Sequence, residues 1–140
     1  TWSNDFNGPV SQHGVRLLQG VRKYRESLVE PGNQKFGKRI LGNENVYGQM
    51  DLIRNCSFEP TVYTNLDAVD SCLKEINLAF LLSKPVVISS HRLNYVGSID
   101  LHNRDRNLVL LNSLISRILS KWPEVHFMST VELGHFIKSN

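Results

Sequence analysis

The sequence predicts an α/β fold built from parallel βα units, and three observations carry that expectation. Short β-type runs alternate with longer helical ones along the chain. The two longest helical segments repeat their apolar residues every three or four positions, the period of a helix with one buried face. The run Pro85 to Ile88 is apolar on successive residues, the pattern of a strand covered on both sides by helices. With 140 residues the chain is long enough for one domain with a real core, so a single α/β domain over 1–140 is expected.

In chain order, a short helix is expected from Pro9 to His13, with Gly14 as its C-terminal cap. A first strand follows from Val15 to Gly20. The stretch from Arg22 to Gly48 is rich in Gly, Asn, Lys and Arg and has no clear period, so it reads as a long excursion at one end of the sheet. The second strand is Asp51 to Cys56. A helix then spans about Asn65 to Lys84, with Leu66, Val69, Leu73, Ile76 and Phe80 as its apolar side. Thr64 or Asn65 caps it, and Asp67 and Asp70 suit the positive end of its dipole. Pro85 to His91 is the third strand and the central one. The next helix covers about Asp105 to Lys121, with Leu108, Leu111, Ile115 and Ile118 as its stripe, and Trp122-Pro123 ends it. A fourth strand, Glu124 to Thr130, and a closing helix, Val131 to Lys138, complete the chain.

Composition narrows the function. The apolar fraction of 41% and charged fraction of 21% are those of an ordinary folded protein. The apolar runs are short, Ala79 to Leu82 among the longest, whereas a bilayer span needs ~20 residues. The net charge of +3 comes from scattered Lys and Arg without interleaved aromatics, which argues against a nucleic-acid face. Cys56 and Cys72 lack metal-ligand spacing and read as buried thiols. No two histidines lie four apart, and no His-Glu-x-x-His, Cys-x-x-Cys, Gly-x-Ser-x-Gly or phosphate-binding glycine pattern occurs.

Two strand ends carry most of the polar chemistry: Arg54-Asn55-Cys56-Ser57-Phe58-Glu59-Pro60 and Ser89-Ser90-His91-Arg92-Leu93-Asn94-Tyr95. Ligands of parallel sheets bind at the C-terminal ends of strands, so the change from apolar to polar at Ser89 points at a site. His91 is a candidate general acid or base, or else a histidine satisfied by a backbone carbonyl. His126, inside a strand, reads as structural, and His13, His102 and His135 as cap or loop residues. Arg54 in the middle of an apolar strand requires a partner, Glu59 or Asp51. The arginine either orients a catalytic carboxylate or holds a sugar, or it belongs to a structural ion pair. Arg92, Asn94 and Tyr95 suit hydroxyl and acetamido recognition, or the pinning of a loop.

In this order of features the chain resembles the polysaccharide deacetylases of the NodB-homology class, in particular a bacterial subgroup associated with surface polysaccharides. The resemblance rests on Thr1-Trp2-Ser3-Asn4-Asp5 before Val10 to Leu18, on Lys84 to His91, and on Val125-His126-Phe127-Met128-Ser129-Thr130-Val131-Glu132-Leu133. It implies the C-terminal part of a distorted (β/α) barrel and metal-dependent removal of acetyl groups from an N- or O-acetylated polysaccharide or its precursor. His91 would be the catalytic acid, supported by Arg54 and Glu59. Trp2, Asp5, Asn55, Arg92, Asn94 and Tyr95 would contact the sugar. The family's divalent metal, zinc or similar, is held by an Asp and a His-x-x-x-His pair on early strands, which this sequence does not contain. The chain is therefore expected to be a C-terminal fragment of a longer domain, with open strand edges that favour a homo-oligomer, in a bacterial cytoplasm or cell envelope. The competing expectation is a non-catalytic carbohydrate-binding protein on the same fold.

Overall fold

The computed structural model describes residues 4–25, 36–62, 67–98 and 100–139. In chain order its elements are α1 (Asn7–Gln12), β1 (Leu17–Gly20), β2 (Lys23–Arg25), β3 (Phe36–Lys38), β4 (Met50–Ile53), β5 (Cys56–Ser57), α2 (Asp67–Leu81), β6 (Ile88–Ser89), α3 (Leu101–Lys121) and α4 (Thr130–Ser139). Turns of 3-10 helix precede α1 at Asn4–Phe6 and follow β6 at Arg92–Asn94. The fold is mixed α/β, with short parallel strand pairs and helices. No described helix is long and apolar enough to cross a membrane. The chain forms two compact units, Thr1–Arg54 with Phe127–Asn140, and Asn55–His126.

In the first unit β1 pairs in parallel with β4, Leu17 opposite Met50 and Gly20 opposite Ile53. The amides of Met50 and Arg54 extend this ladder to the carbonyls of Arg16 and Gly20. Gly14, at φ +83°, ends α1 in the left-handed conformation that its lack of a Cβ permits. Within the long excursion β2 and β3 form an antiparallel pair that the sequence pattern misses because each strand has three residues. A second local structure closes its end. The Asn45 side-chain carbonyl accepts from the amides of Tyr47 and Gln49, and Gly48 supplies a positive φ. The fully buried Gln49 is satisfied by Asn45 and the Val15 carbonyl. Helix α4 lies against β1 at Gly134, where a Cβ would come within 2.8 Å of the Leu17 methyls.

The start of α4 is fixed by a reciprocal capping box. The Ser129 amide donates to the Glu132 carboxylate at 2.6 Å, and the Glu132 amide donates to Ser129 Oγ. These bonds hold the Glu132 carboxyl below its ordinary range. They also correct the strand expected at Glu124 to Thr130: Thr130 is already helical, and residues 124–129 pair with no strand among the described residues. His126, expected inside that strand, is exposed instead.

The second unit pairs β5 with β6 in parallel, Cys56 opposite Ile88 and Ser57 opposite Ser89. The third strand is shorter than expected for a physical reason. Pro85 has no amide proton, and the Val87 amide bonds the side-chain carbonyl of Asn55 at 2.8 Å where a backbone partner would continue the ladder. Nor is β6 a doubly covered central strand among the described residues, since Ile88 is exposed and β5 is its sole described partner. The described strands thus form three separate pairs in place of one four-stranded parallel sheet.

The core of this unit joins Cys56 and Phe58 to Ala68, Val69, Cys72, Leu73 and Ile76 of α2 and to Leu114 and Ile118 of α3. Phe80 meets Trp122 edge to face at 5.1 Å between ring centroids. The side of α2 toward the core is the expected one, widened by Ala68, Cys72 and Ala79, while Leu66 lies outside the described residues. For α3 the expected stripe is rotated. Leu108 is 44% exposed and Ile115 is exposed as well, and the buried line runs Asn107, Leu114, Ile118 with Leu111 half-buried. An asparagine begins the buried side, and a hydrophobic period cannot register it.

Leu114→Ala is expected to lower unfolding stability by about 2–5 kcal/mol, the range for a fully buried leucine, while Leu108→Ala changes it by well under half of that. Paired denaturant titrations measure both, and equal losses would reject the rotated stripe. Both cysteines are buried free thiols. Burial, with the neighbouring Glu75 charge, pushes Cys56 from an ordinary 9.0 to about 12. Burial, then Cys56 and Glu75, does the same to Cys72. A thiol whose folded pKa is raised stabilises the fold fully below its unfolded value. That contribution is lost as pH climbs toward the folded value. Stability is therefore expected to decline between pH 9 and 12, and a Cys56→Ala, Cys72→Ala variant should decline less steeply in thermal melts across that range.

Candidate functional site

Polar side chains converge in the second unit, where the chain leaves β5 and β6. Ladder hydrogen bonding carries on past β5, the Phe58 amide donating to the Ser89 carbonyl at 2.8 Å, so residues 58–60 and 90–91 leave together. Glu59 stands between them. Its Oε1 accepts from the backbone amide of His91 at 3.0 Å and lies 2.7 Å from His91 Nδ1. Its Oε2 accepts from Asn94 Nδ2 at 2.8 Å. The Glu59 side chain is only 14% exposed, whereas that of His91 is 76% exposed.

This geometry assigns the imidazole tautomer. An ionised carboxylate only accepts, so the Nδ1 position carries the proton and Nε2 carries the free lone pair of the neutral ring. The side chain that meets solvent is thus a base at Nε2, and an acid there once protonated. The 3-10 turn at Arg92–Asn94 fixes the backbone that follows His91, the Asn94 amide donating to the His91 carbonyl and the Tyr95 amide to that of Arg92.

Ser90 completes the cluster in a different capacity. Its Oγ donates to the Phe58 carbonyl at 2.6 Å, which uses its one proton. The hydroxyl of Tyr95 at 2.8 Å and Asn94 Nδ2 at 3.3 Å must therefore donate to Ser90 Oγ. Burial raises the Tyr95 phenol above its ordinary range, with Glu59 adding to the effect against the Ser90 bond, which keeps it a donor. A serine so engaged, with His91 committed to Glu59, is not an activated nucleophile.

The expected site residues separate into three groups. His91, Glu59, Asn94 and Tyr95 come together in this cluster. Asn55 belongs to the same unit, but its amide is committed to the backbone, Nδ2 donating to the Pro85 carbonyl and Oδ1 accepting from Val87. Arg92 is exposed on the turn beside His91, and its guanidinium has no hydrogen-bond or ion-pair partner among the described residues. Arg54 and Asp5 belong to the other unit. Trp2 lies outside the described residues.

The burial expected for Arg54 is corrected. β4 ends at Ile53, so Arg54 is exposed and no buried charge demands a carboxylate. Glu59 is engaged by His91 and Asn94, and Asp51 by Arg39 at 3.2 Å. That Arg39 guanidinium also lies 4.2 Å over the Tyr24 ring. Burial raises the Asp51 carboxyl despite the arginine beside it. At 2% exposure Asn94 lies beneath the surface, which fits the pinning of a loop and not direct contact with a ligand. Sequence reasoning missed Asn107, Asn103, Thr61 and Arg106, which extend the network under Asn94. Their only signal was the unusual Asn-Arg-Asp-Arg-Asn opening of a helix, which reads as a solvated face.

No three His, Cys, Asp or Glu side chains are gathered to share a metal ion among the described residues. The described residues therefore do not by themselves assemble a metal centre. Comparison with protein-family models, with curated proteins and with solved structures found no match to the chain.

Because its proton and lone pairs are occupied, Ser90 should resist a fluorophosphonate probe that labels activated serines. Mass spectrometry of the treated protein checks this, and stoichiometric modification at Ser90 would contradict the hydrogen-bond assignment.

Proposed function

We propose that the chain is part of a carbohydrate-active hydrolase that removes acetyl groups from an N- or O-acetylated polysaccharide or its precursor, with His91 as its acid–base residue. The observation that carries the reading is the Glu59–His91 pair: a shielded carboxylate at 2.7 Å from Nδ1 of a largely exposed imidazole just past the end of β6. The resemblance of the Lys84 to His91 strand and of the Ser129 to Leu133 helix start to polysaccharide deacetylases supplies the substrate class. On that resemblance the chain belongs to a distorted (β/α) barrel, of which β5–α2–β6 is one βα unit.

In this reading water adds to the acetyl carbonyl, and protonated His91 delivers its Nε2 proton to the departing amine or alkoxide of the sugar as the acyl bond breaks, so that acetate and the free sugar amine or hydroxyl leave. Glu59 holds Nδ1–H throughout and offsets the imidazolium charge before transfer. The exposed Arg92, next to His91 in the chain, and Tyr95 would meet sugar hydroxyls or the acetyl carbonyl. The family's divalent metal enters only as a requirement to be measured, because the described residues do not assemble its ligands.

Acetate release from acetylated oligosaccharides, with and without added zinc and after chelation, is the test. A general acid contributes about 10²–10⁴-fold, so His91→Ala should reduce release by at least that lower factor, and Glu59→Gln should reduce it as well. Release unaffected by His91→Ala sinks the assignment. Sugar binding without acetate release, retained by His91→Ala, favours a carbohydrate-binding protein.

A further inference from the structure

Beneath the Glu59–His91 pair lies a second tier of side chains with no exposure to a substrate. Asn94 is 2% exposed and Asn107 is 0% exposed. Asn94 Nδ2 has two protons, directed to Glu59 Oε2 and Ser90 Oγ, and its Oδ1 accepts from the Thr61 amide at 3.2 Å. Every polar position of that amide is occupied. Asn107 is saturated in the same way. Its Nδ2 faces the Asn94 carbonyl and Thr61 Oγ1, each at 2.9 Å, and Asn103 Oδ1 at 3.2 Å. Its Oδ1 accepts from Arg106 Nε and Nη2.

These bonds have a direction. Arg106 fixes the Asn107 amide, Asn107 fixes the backbone of Asn94, and Asn94 holds the outer oxygen of Glu59 so that Oε1 is left to His91. A carboxylate held at one oxygen cannot rotate to present the other. Its acceptance from both the His91 amide and Nδ1 is thus set from the first turns of α3. Asn107 occupies the buried line of that helix, in register with Leu114 and Ile118, so the relay is anchored in the core.

We infer that Asn94 and Asn107 are positioning residues that fix the Nδ1–H tautomer of His91 through Glu59. The inference deepens the acid–base reading of His91 and rests on it for its catalytic meaning. The tautomer itself is measurable without any substrate. Loss of the proposed activity and failure of the relay are therefore separate outcomes.

Long-range proton–nitrogen correlation spectra of the full chain, labelled with ¹⁵N, read the two ring nitrogens of His91 directly. In the unmodified protein the neutral ring should show a protonated Nδ1 and a bare Nε2. The side-chain amide protons of Asn94 should shift with pH in step with the His91 ring, since the two share one carboxylate. In Asn94→Leu the Nδ1–H form should be lost in favour of a mixture of tautomers, and Asn107→Leu should have the same effect in weaker form. Asn94→Asp, which keeps the acceptor for Thr61 but turns an oxygen toward Glu59, should also lose it. A neutral His91 protonated at Nε2 in the unmodified protein overturns the inference. So do Asn94 amide protons that ignore the His91 titration, a measurement that needs no variant to fold. A folded Asn94→Leu protein that retains the original tautomer overturns it as well.

Discussion

The carboxylate of Glu59 is the constraint on which the second unit's polar architecture depends. It is largely shielded, and a shielded charge without partners costs several kcal/mol. Three N–H groups meet it, from the His91 backbone, the His91 ring and the Asn94 side chain. Hydrogen bonds to a charged acceptor contribute about 1.5–3 kcal/mol each, so losing any one is felt by the whole turn. Through them one residue after β5 is tied to the turn after β6, and that turn is tied in turn to α3. The Asn55 side chain performs a related task at the other end of the same strands, standing in for a missing ladder partner at Val87. Two side chains thus hold together a parallel pair only two residues long.

The helices and the parallel order were legible because their signals are periodic. Val69, Leu73 and Ile76 recur at the helical interval and form the buried side of α2. The limits of the strands were not legible, because they are set by partners. Pro85 to His91 reads as one strand from its apolar run, yet which of its amides find backbone partners depends on Asn55, thirty residues away. Glu124 to Thr130 alternates like a strand, but the Ser129–Glu132 capping box claims its last residue for a helix. A local pattern supplied that box too, and the two patterns competed over the same residues.

The site was legible to a similar depth. His91 and Glu59 were singled out from polar residues at strand ends, and the structure brings them to 2.7 Å. Arg54 was singled out on a premise of burial that fails, since its strand stops one residue earlier. Asn107 was invisible because hydrophobic periodicity counts only apolar positions. It lies on the core side of α3 because its amide is fully satisfied there, which makes a buried polar group tolerable. The expected stripe, drawn through Leu108 and Ile115, was rotated away from the core by the same omission.

The distribution of burial within the cluster is the one that the proposed acid–base role of His91 requires. A histidine recruited only to satisfy a fold is ordinarily enclosed and bonded at both ring nitrogens. Here the burial is inverted: the ring is 76% exposed while the groups that orient it lie progressively deeper, Glu59 at 14% and Asn94 at 2%. Two saturated amides and a shielded carboxylate are more than is needed to tether a surface ring. They are what is needed to keep one nitrogen protonated and the other available, because a free imidazole can rotate and exchange its tautomers. Ser90 donates to the Phe58 carbonyl and accepts from Tyr95, so neither hydroxyl proton is offered to the His91 ring. The arrangement therefore suits proton transfer to an incoming molecule better than nucleophilic attack upon it.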